Sequence, residues 1–360
     1  MLLTAMTAGA QQRQEINLGD DWLFSRDMQD WQAVSVPHDW AIGGPFDKKW
    51  DLQVVAIEQN GEKQATEKSG RSGALPWIGE GHYKRVLTIP SGFKGHAELV
   101  FDGAMAEPTV TVNGLRAGYW AYGYNTFRLD VTDKVKPGDN LLEVDLQNVE
   151  ESSRWYPGAG IYRPVTLVLT PAQTYIDDWS ICVRTMSIKD GKAVVEAEAK
   201  VVNPGVGMAV GMTLVAPDGR EASTESRIGA NGSAYVKFNV DNALLWTPET
   251  PYLYTLKTSL FSEGQKSSAR REVIDSKTIR TGIRTVRVSR EGGFQLNGQT
   301  RKLKGVCLHH DLGPLGAAVN KAALIRQVKT MKEMGCNAIR TSHNMPSQMQ
   351  MDICDSLGMM

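Results

Sequence analysis

The apolar residues of this chain change their period once, and that change constrains the fold more than any other feature. From about Gly81 to Val288 the period is two. Leu142, Val144 and Leu146 alternate with Glu143, Asp145 and Gln147, and Val195, Ala197, Ala199 and Val201 alternate with Glu196, Glu198 and Lys200. Successive side chains of a strand point to opposite faces, so such alternation buries one face of a sheet and wets the other. After Arg301 the pattern turns helical. Leu324, Ile325, Val328 and Met331 fall on one face of a helix with about 3.6 residues per turn.

Within the β region, turn residues divide the strands. Thr109-Val110-Thr111-Val112 runs into Asn113-Gly114, a pair that tolerates positive φ and suits a tight hairpin. Short apolar runs at Tyr83–Ile89, Glu98–Phe101, Asn125–Val131 and Pro164–Leu169 are separated by Gly, Asp and Pro. Many short strands without a helical period predict a β-sandwich of jelly-roll type over residues 12–172. Inside it, residues 41–80 are polar and Gly-rich, carry Trp50 and Trp77, and read as a long ordered loop. Residues 173–287 form a second all-β unit. Asn203-Pro204-Gly205, Pro217-Asp218-Gly219 and Asn231-Gly232 punctuate it at intervals of roughly a dozen residues, as in an immunoglobulin-like sandwich. Cys182 has no partner cysteine in this unit, which excludes a disulfide-pinned antibody-type domain.

Residues 288–360 read as the start of a third domain. Lys304–Leu308 is a short buried strand, and Asn320 can N-cap a helix that Gly335 closes. Ala338-Ile339 opens another strand. Ser347 and Gln350 make a capping box for a helix carrying Met349 and Ile353 and ended by Gly358. Strand, helix, strand, helix at this spacing is a βαβ unit with parallel strands. A parallel (β/α)₈ TIM barrel takes ~250 residues, so these are its first two βα units. The barrel reads as truncated at Met360, with later strands expected beyond it.

Bulk properties narrow the partners. Forty Lys and Arg balance 40 Asp and Glu, and no run of either sign provides the basic patch a nucleic acid needs. No stretch approaches the ~20 apolar residues of a membrane span. A neutral partner such as a sugar fits this balance, and a homo-oligomer is compatible with it. Met1–Ala10 reads MLLTAMTAGA before a polar run. It resembles the tail of a signal peptide without its basic start, and predicts export to the periplasm or the outside of a bacterial cell. Cys182, Cys307, Cys336 and Cys354 form no Cys-x-x-Cys pair, and are expected to be buried thiols acting as small hydrophobes.

In a TIM barrel, function gathers where strands end at the C-terminal face. The first strand ends at His309-His310-Asp311, and the second at Arg340-Thr341-Ser342-His343-Asn344. Three chemistries compete for these residues. Zinc could use His309, His310 and His343, although no carboxylate-supported ligand spacing accompanies them. The groups could be satisfied loop polars. Or they could form a sugar subsite, in which imidazoles and a guanidinium bond hydroxyls and orient carboxylates.

At this point the sequence resembles a family. Ala338-Ile339-Arg340-Thr341-Ser342-His343-Asn344, followed by Cys354-Asp355-Ser356-Leu357-Gly358, is similar to the signature of the family 2 glycoside hydrolases. Val36–Trp40, Arg154–Pro164, Leu245–Tyr254, and Gly282-Ile283-Arg284 with Gly305-Val306 match the same family in order. The resemblance implies a sugar-binding jelly roll, an immunoglobulin-like domain and a barrel. It implies that Arg340 steadies the nucleophile carboxylate, that His309, His343 and Asn344 line the sugar subsite, and that Arg154 and Trp155 reach toward it. For Arg154 and Trp155 a plain packing contact between domains is the competing role.

The resemblance further implies a retaining β-glycoside hydrolase, foremost a β-galactosidase acting on terminal non-reducing β-linked sugars of oligo- or polysaccharides. β-Glucuronidase, β-mannosidase and a non-catalytic carbohydrate-binding protein are the alternatives. Family members use two glutamates, an acid and a nucleophile, set ~5 Å apart. Both are expected beyond Met360, so no catalytic residue is assigned within the chain. Glu333 lies late in a helix, and Asp311 is one carboxylate where two are required. No cofactor is required, while a bound Mg²⁺ or Na⁺ is compatible with relatives. Two positions depart from the family: Gly81-His82-Tyr83-Lys84 where relatives read Gly-Trp-Tyr-Arg, and Met345 where a proline is common.

Overall fold

The computed structural model describes residues 13–47, 55–59, 62–66, 79–148, 158–262 and 271–360. They gather into two compact units. One holds Glu15–Phe93, Ala97–Val168 and Lys304–Met360, and the other holds Arg13 and Gln14, Lys94–His96 and Leu169–Leu303. The fold is mainly β: a jelly roll, an immunoglobulin-like sandwich and the first strands and helices of a parallel α/β barrel.

The jelly roll is built from two sheets. The larger runs Gln32–Val34, Trp22–Ser25, Gly79–Ile89, Gly138–Asn148, Thr109–Val112, Leu115–Tyr119, and the smaller Gln14–Asn17, Val165–Thr170, His96–Phe101, Phe127–Asp130. The alternation read from the sequence decides which side chains enter the core. Leu142, Val144 and Leu146 are buried while Asp145 and Gln147 are exposed. Asn113 and Gly114 take φ of 54° and 75°, the left-handed pair that a tight hairpin of this twist requires. The buried Asn140 supports that corner. Its amide donates to the carbonyls of Lys136 and Gly138, both at 2.8 Å, and its carbonyl accepts from Asn113 Nδ2 at 2.8 Å.

The stretch 41–80 is not loop throughout. A 3₁₀ turn at Trp40–Gly43 opens it, and Val55–Gln59 pairs with Glu62–Thr66 as an antiparallel hairpin. Trp50 and Trp77 lie outside the described residues. The unusual His82 has its own partner, with Nδ1 2.7 Å from Asp145 Oδ1 on the neighbouring strand.

In the immunoglobulin-like unit, Lys192–Val202 pairs with Cys182–Lys189 and with Ser233–Val240. A second sheet runs Glu221–Arg227, Ala209–Val215, Tyr254–Phe261, Val273–Thr281. Val195, Ala199, Val210 and Leu256 fill its core without exposure. Arg13, which falls in the jelly-roll range when the sequence alone is read, packs with this unit. Its guanidinium meets Asp178 at 2.9 Å and the fully buried Asp275 side chain at 2.7 Å.

The barrel segment begins with two parallel strands, Gly305–Leu308 and Ala338–Thr341, in the register Cys307 to Arg340. Helix α1 spans Lys321–Glu333, and Asn320 Oδ1 caps it by accepting from Ala323 N at 3.0 Å. Helix α2 spans Gln348–Leu357. Ser347 Oγ accepts from Gln350 N at 3.2 Å, and Gly358 ends the helix in the left-handed conformation. Leu324, Val328 and Met331 of α1 meet Ile353 and Cys354 of α2 in a small core. The first strand is not buried as the sequence suggested. Gly305 and Cys307 are exposed, because among the described residues its one sheet neighbour is the second strand. The same applies to the cysteines. Cys354 is buried, but Cys182 and Cys307 are exposed and Cys336 is half-buried, since an edge strand and an outer sheet face leave their thiols uncovered. No helix among the described residues is long and apolar enough to cross a membrane.

Candidate functional site

The two parallel strands deliver their C-terminal ends side by side, as the βαβ reading requires. His309 follows the first directly and His343 follows the second after Ser342, and their rings meet edge-on with centroids 5.9 Å apart. Arg340 is exposed and half-anchored. Its Nη1 donates to Ser342 Oγ at 3.1 Å and lies 3.7 Å from Cys307 Sγ, across the parallel register. Asn344 Oδ1 accepts from the hydroxyl of Tyr122, a jelly-roll residue. His310 turns away from its neighbour at φ 67°, with its ring 5.2 Å from that of Tyr124.

Jelly-roll side chains hold both strand-end loops from behind. Asp39 is 2% exposed, and its Oδ2 accepts from Ala317 N at 2.8 Å in the loop after the first strand. Two glycines make that approach possible. A Cβ on Gly158 would stand 2.3 Å from the Ala317 Cβ, and one on Gly316 would stand 2.4 Å from Asp39 Oδ2. Val319 N donates to Tyr162 O at 2.9 Å. The loop after the second strand is gripped by Arg163, which is 1% exposed and donates to the Met345 carbonyl at 2.7 Å. The same guanidinium donates to the carbonyls of Asp102 at 3.1 Å and Tyr124 at 3.0 Å. Asp102 Oδ2 in turn accepts from Gln348 N at 3.2 Å, the first residue of α2. A carboxylate at a helix N-terminus satisfies an orphan donor and meets the positive end of the helix dipole.

The electrostatics follow from this packing. Ser342 and Arg340 hold the Cys307 thiol below its ordinary range. Burial pushes His310 down to about 4, and Arg163, His309 and His343 add to the effect. Burial and Arg26 lower His38 to about 4 as well. Both rings are therefore neutral in the folded protein at pH values where an unfolded chain, with imidazoles near 6.5, takes up protons. Stability from these sites is complete above about 6.5 and is lost as pH falls toward about 4. Asp102, whose carboxyl burial raises, works in the opposite sense at the bottom of that window. Thermal melts between pH 7 and 4.5 should show a loss on the order of 2 kcal/mol, after discounting for the water that reaches His310. His38→Gln with His310→Asn should flatten the slope, asparagine being tolerant of positive φ. Parallel curves for variant and parent would remove the two rings from the account.

The structure thus brings His309, Arg340, His343 and Asn344 to one end of the strand pair. Arg154 and Trp155 lie outside the described residues. No three His, Cys, Asp or Glu among the described residues come together as a metal-holding group, so His309, His310 and His343 do not assemble the zinc arrangement. Sequence reading missed Arg163 and Asp102. Arg163 stands inside the Arg154–Pro164 motif but carried no role there, and an arginine between Tyr162 and Pro164 in an apolar strand start was the available signal. Nothing local marks Asp102.

Three family models match in order: the sugar binding domain of the glycosyl hydrolases family 2 over residues 3–171, the glycosyl hydrolases family 2 over 174–284, and its TIM barrel domain over 286–360. The β-galactosidase BoGH2A of Bacteroides ovatus is 37% identical over 340 residues, which are 91% of this chain and 37% of that protein. A β-glucuronidase of Bacteroides fragilis is 27% identical over 99% of this chain and 50% of its own length. The crystal structure of a glycosyl hydrolase family 2 member from Bacteroides cellulosilyticus matches with a TM-score of 0.82 at 31% identity, over 96% of this chain and 45% of that one. The chain spans between 37% and 50% of the lengths of these relatives.

Proposed function

The chain belongs to the glycosyl hydrolases of family 2, and on that premise we propose that it serves in a retaining β-glycosidase, foremost a β-galactosidase acting on terminal non-reducing sugars. One observation carries the reading: His309 and His343 meet edge-on at the ends of adjacent parallel strands, the second of which carries Arg340. Imidazoles at that spacing can bond adjacent hydroxyls of one pyranose ring, and the guanidinium can orient a carboxylate. The acid and the nucleophile belong to glutamates on later barrel strands. The residues present here bind and aim. Bond cleavage by two carboxylates needs no cofactor. A glycan substrate, together with the leader-like Met1–Ala10, which lies outside the described residues, supports export to the periplasm or beyond.

The whole protein should be assayed against nitrophenyl β-galactoside, β-glucuronide and β-mannoside. The galactoside should give the highest kcat/KM by at least about tenfold, a difference of roughly 1.4 kcal/mol in transition-state binding. A preference for the glucuronide would transfer the reading to the activity for which the Bacteroides fragilis relative is named.

A further inference from the structure

The two barrel strands turn one face toward the helices and one away from them. Val306, Leu308 and Ile339 pack into the small core of α1 and α2. Side chains alternate along a strand, so Cys307 and Arg340 stand on the opposite face. They are direct register partners across the parallel pair, and both are exposed. A cysteine of the first strand and an arginine of the second therefore share one surface, just before the strand ends that carry His309 and His343.

The Arg340 guanidinium is held there by a single nitrogen. Its Nη1 donates to Ser342 Oγ at 3.1 Å and to Cys307 Sγ at 3.7 Å. Ser342 is fully buried and belongs to the same strand end as Arg340. One such anchor fixes where Nη1 sits but leaves the planar group free to swing about it. The sulfur comes from the other strand, and a second acceptor from a second direction removes that swing. Nε and Nη2 make no hydrogen bond among the described residues, so the two outward donors of the fork are left for a carboxylate. The contact is also felt at the sulfur, since hydrogen bonds with Ser342 and Arg340 favour its thiolate, a better acceptor for a guanidinium than a thiol. We propose that Cys307 is a positioning residue: its sulfur sets the angle at which Arg340 presents Nε and Nη2 to the nucleophile carboxylate, a role that rests on the glycosidase reading above. The thiol acts through Arg340 and not on the sugar.

A double-mutant cycle in the whole protein tests this, with circular dichroism as the folding control. Cys307→Ala should lower kcat for the preferred nitrophenyl glycoside about tenfold and leave KM within about twofold, because a misaimed guanidinium weakens the transition state and not sugar binding. Cys307→Ser keeps an acceptor on the same strand and should recover most of that loss. In an Arg340→Ala background, Cys307→Ala should change kcat by less than about twofold, the group through which it acts being gone. A full tenfold loss in that background, no loss in the parent, or a serine variant as poor as alanine would overturn the proposal. A second measurement needs no turnover. Labelling of Cys307 by iodoacetamide near neutral pH, followed by peptide mass spectrometry, should slow about threefold or more in Arg340→Ala, since the charge that favours the thiolate is lost. An unchanged labelling rate would overturn the anchor itself. Slowed labelling in a protein that cleaves no glycoside would uphold the anchor and overturn the glycosidase reading on which its purpose rests.

Discussion

Replacing Arg340 by alanine in the whole protein should cut turnover of its preferred glycoside by at least about a hundredfold, on the order of 3 kcal/mol of transition-state stabilisation, with the fold intact. The side chain is exposed at the end of the second parallel strand and is anchored through one nitrogen to Ser342 and Cys307. On the glycosidase reading, the rest of its planar fork is free to meet a carboxylate at the barrel mouth. A guanidinium there keeps its charge at every working pH and can hold a nucleophile carboxylate ionised and aimed. Lysine would retain the charge but lose the fork, so Arg340→Lys should recover little. His343→Ala should behave differently, raising KM as well as lowering kcat, because a sugar contact made in both ground and transition states is lost. The measurement is steady-state kinetics with circular dichroism as a folding control. A folded Arg340→Ala enzyme with near-normal kcat would make the arginine structural.

Removing Arg163 should unfold what Arg340 and His343 depend on. The side chain is almost fully buried and binds three backbone carbonyls, one of them in the loop that carries His343. Deleting it strands those carbonyls and leaves the buried Asp102 carboxyl, which burial already pushes up, without the nearby positive charge that offsets this. Breaking one side of such a buried charged network costs about 3–5 kcal/mol. Arg163→Ala should therefore lower Tm by on the order of 10 °C in a chain of this size. Arg163→Lys should fare little better, since one ammonium cannot span carbonyls on different segments. Arg163→Ala melting within about 1 kcal/mol of the parent would show that the loop holds itself.

Much of this architecture was legible along the chain because its causes are local. The period-two runs at Leu142–Leu146 and Val195–Val201 fall in strands with one buried side, since alternation is a property of each strand taken singly. Asn113-Gly114, Asn320, Ser347 and Gly358 take the turn and cap geometries that their residue types favour. The parallel pairing of Gly305–Leu308 with Ala338–Thr341 follows from the helix between them. Cysteine exposure was misread because burial depends on which neighbours cover a strand, and no residue type encodes its neighbours.

What the sequence determined by itself was therefore most of the elements outside residues 41–80, the alternating faces of Leu142–Leu146 and Val195–Val201, and the placing of His309, Arg340, His343 and Asn344 at strand ends. Only the tertiary structure showed that Lys304–Met360 packs with the jelly roll as one unit, and that Asp39, Asp102, Tyr122 and Arg163 hold its loops. Those contacts join residues more than two hundred positions apart in the cases of Asp39 with Ala317 and Asp102 with Gln348. Periodicity and capping act over a few residues. A hydrogen bond closed across such a separation exists only once two cores have formed and brought their surfaces into register.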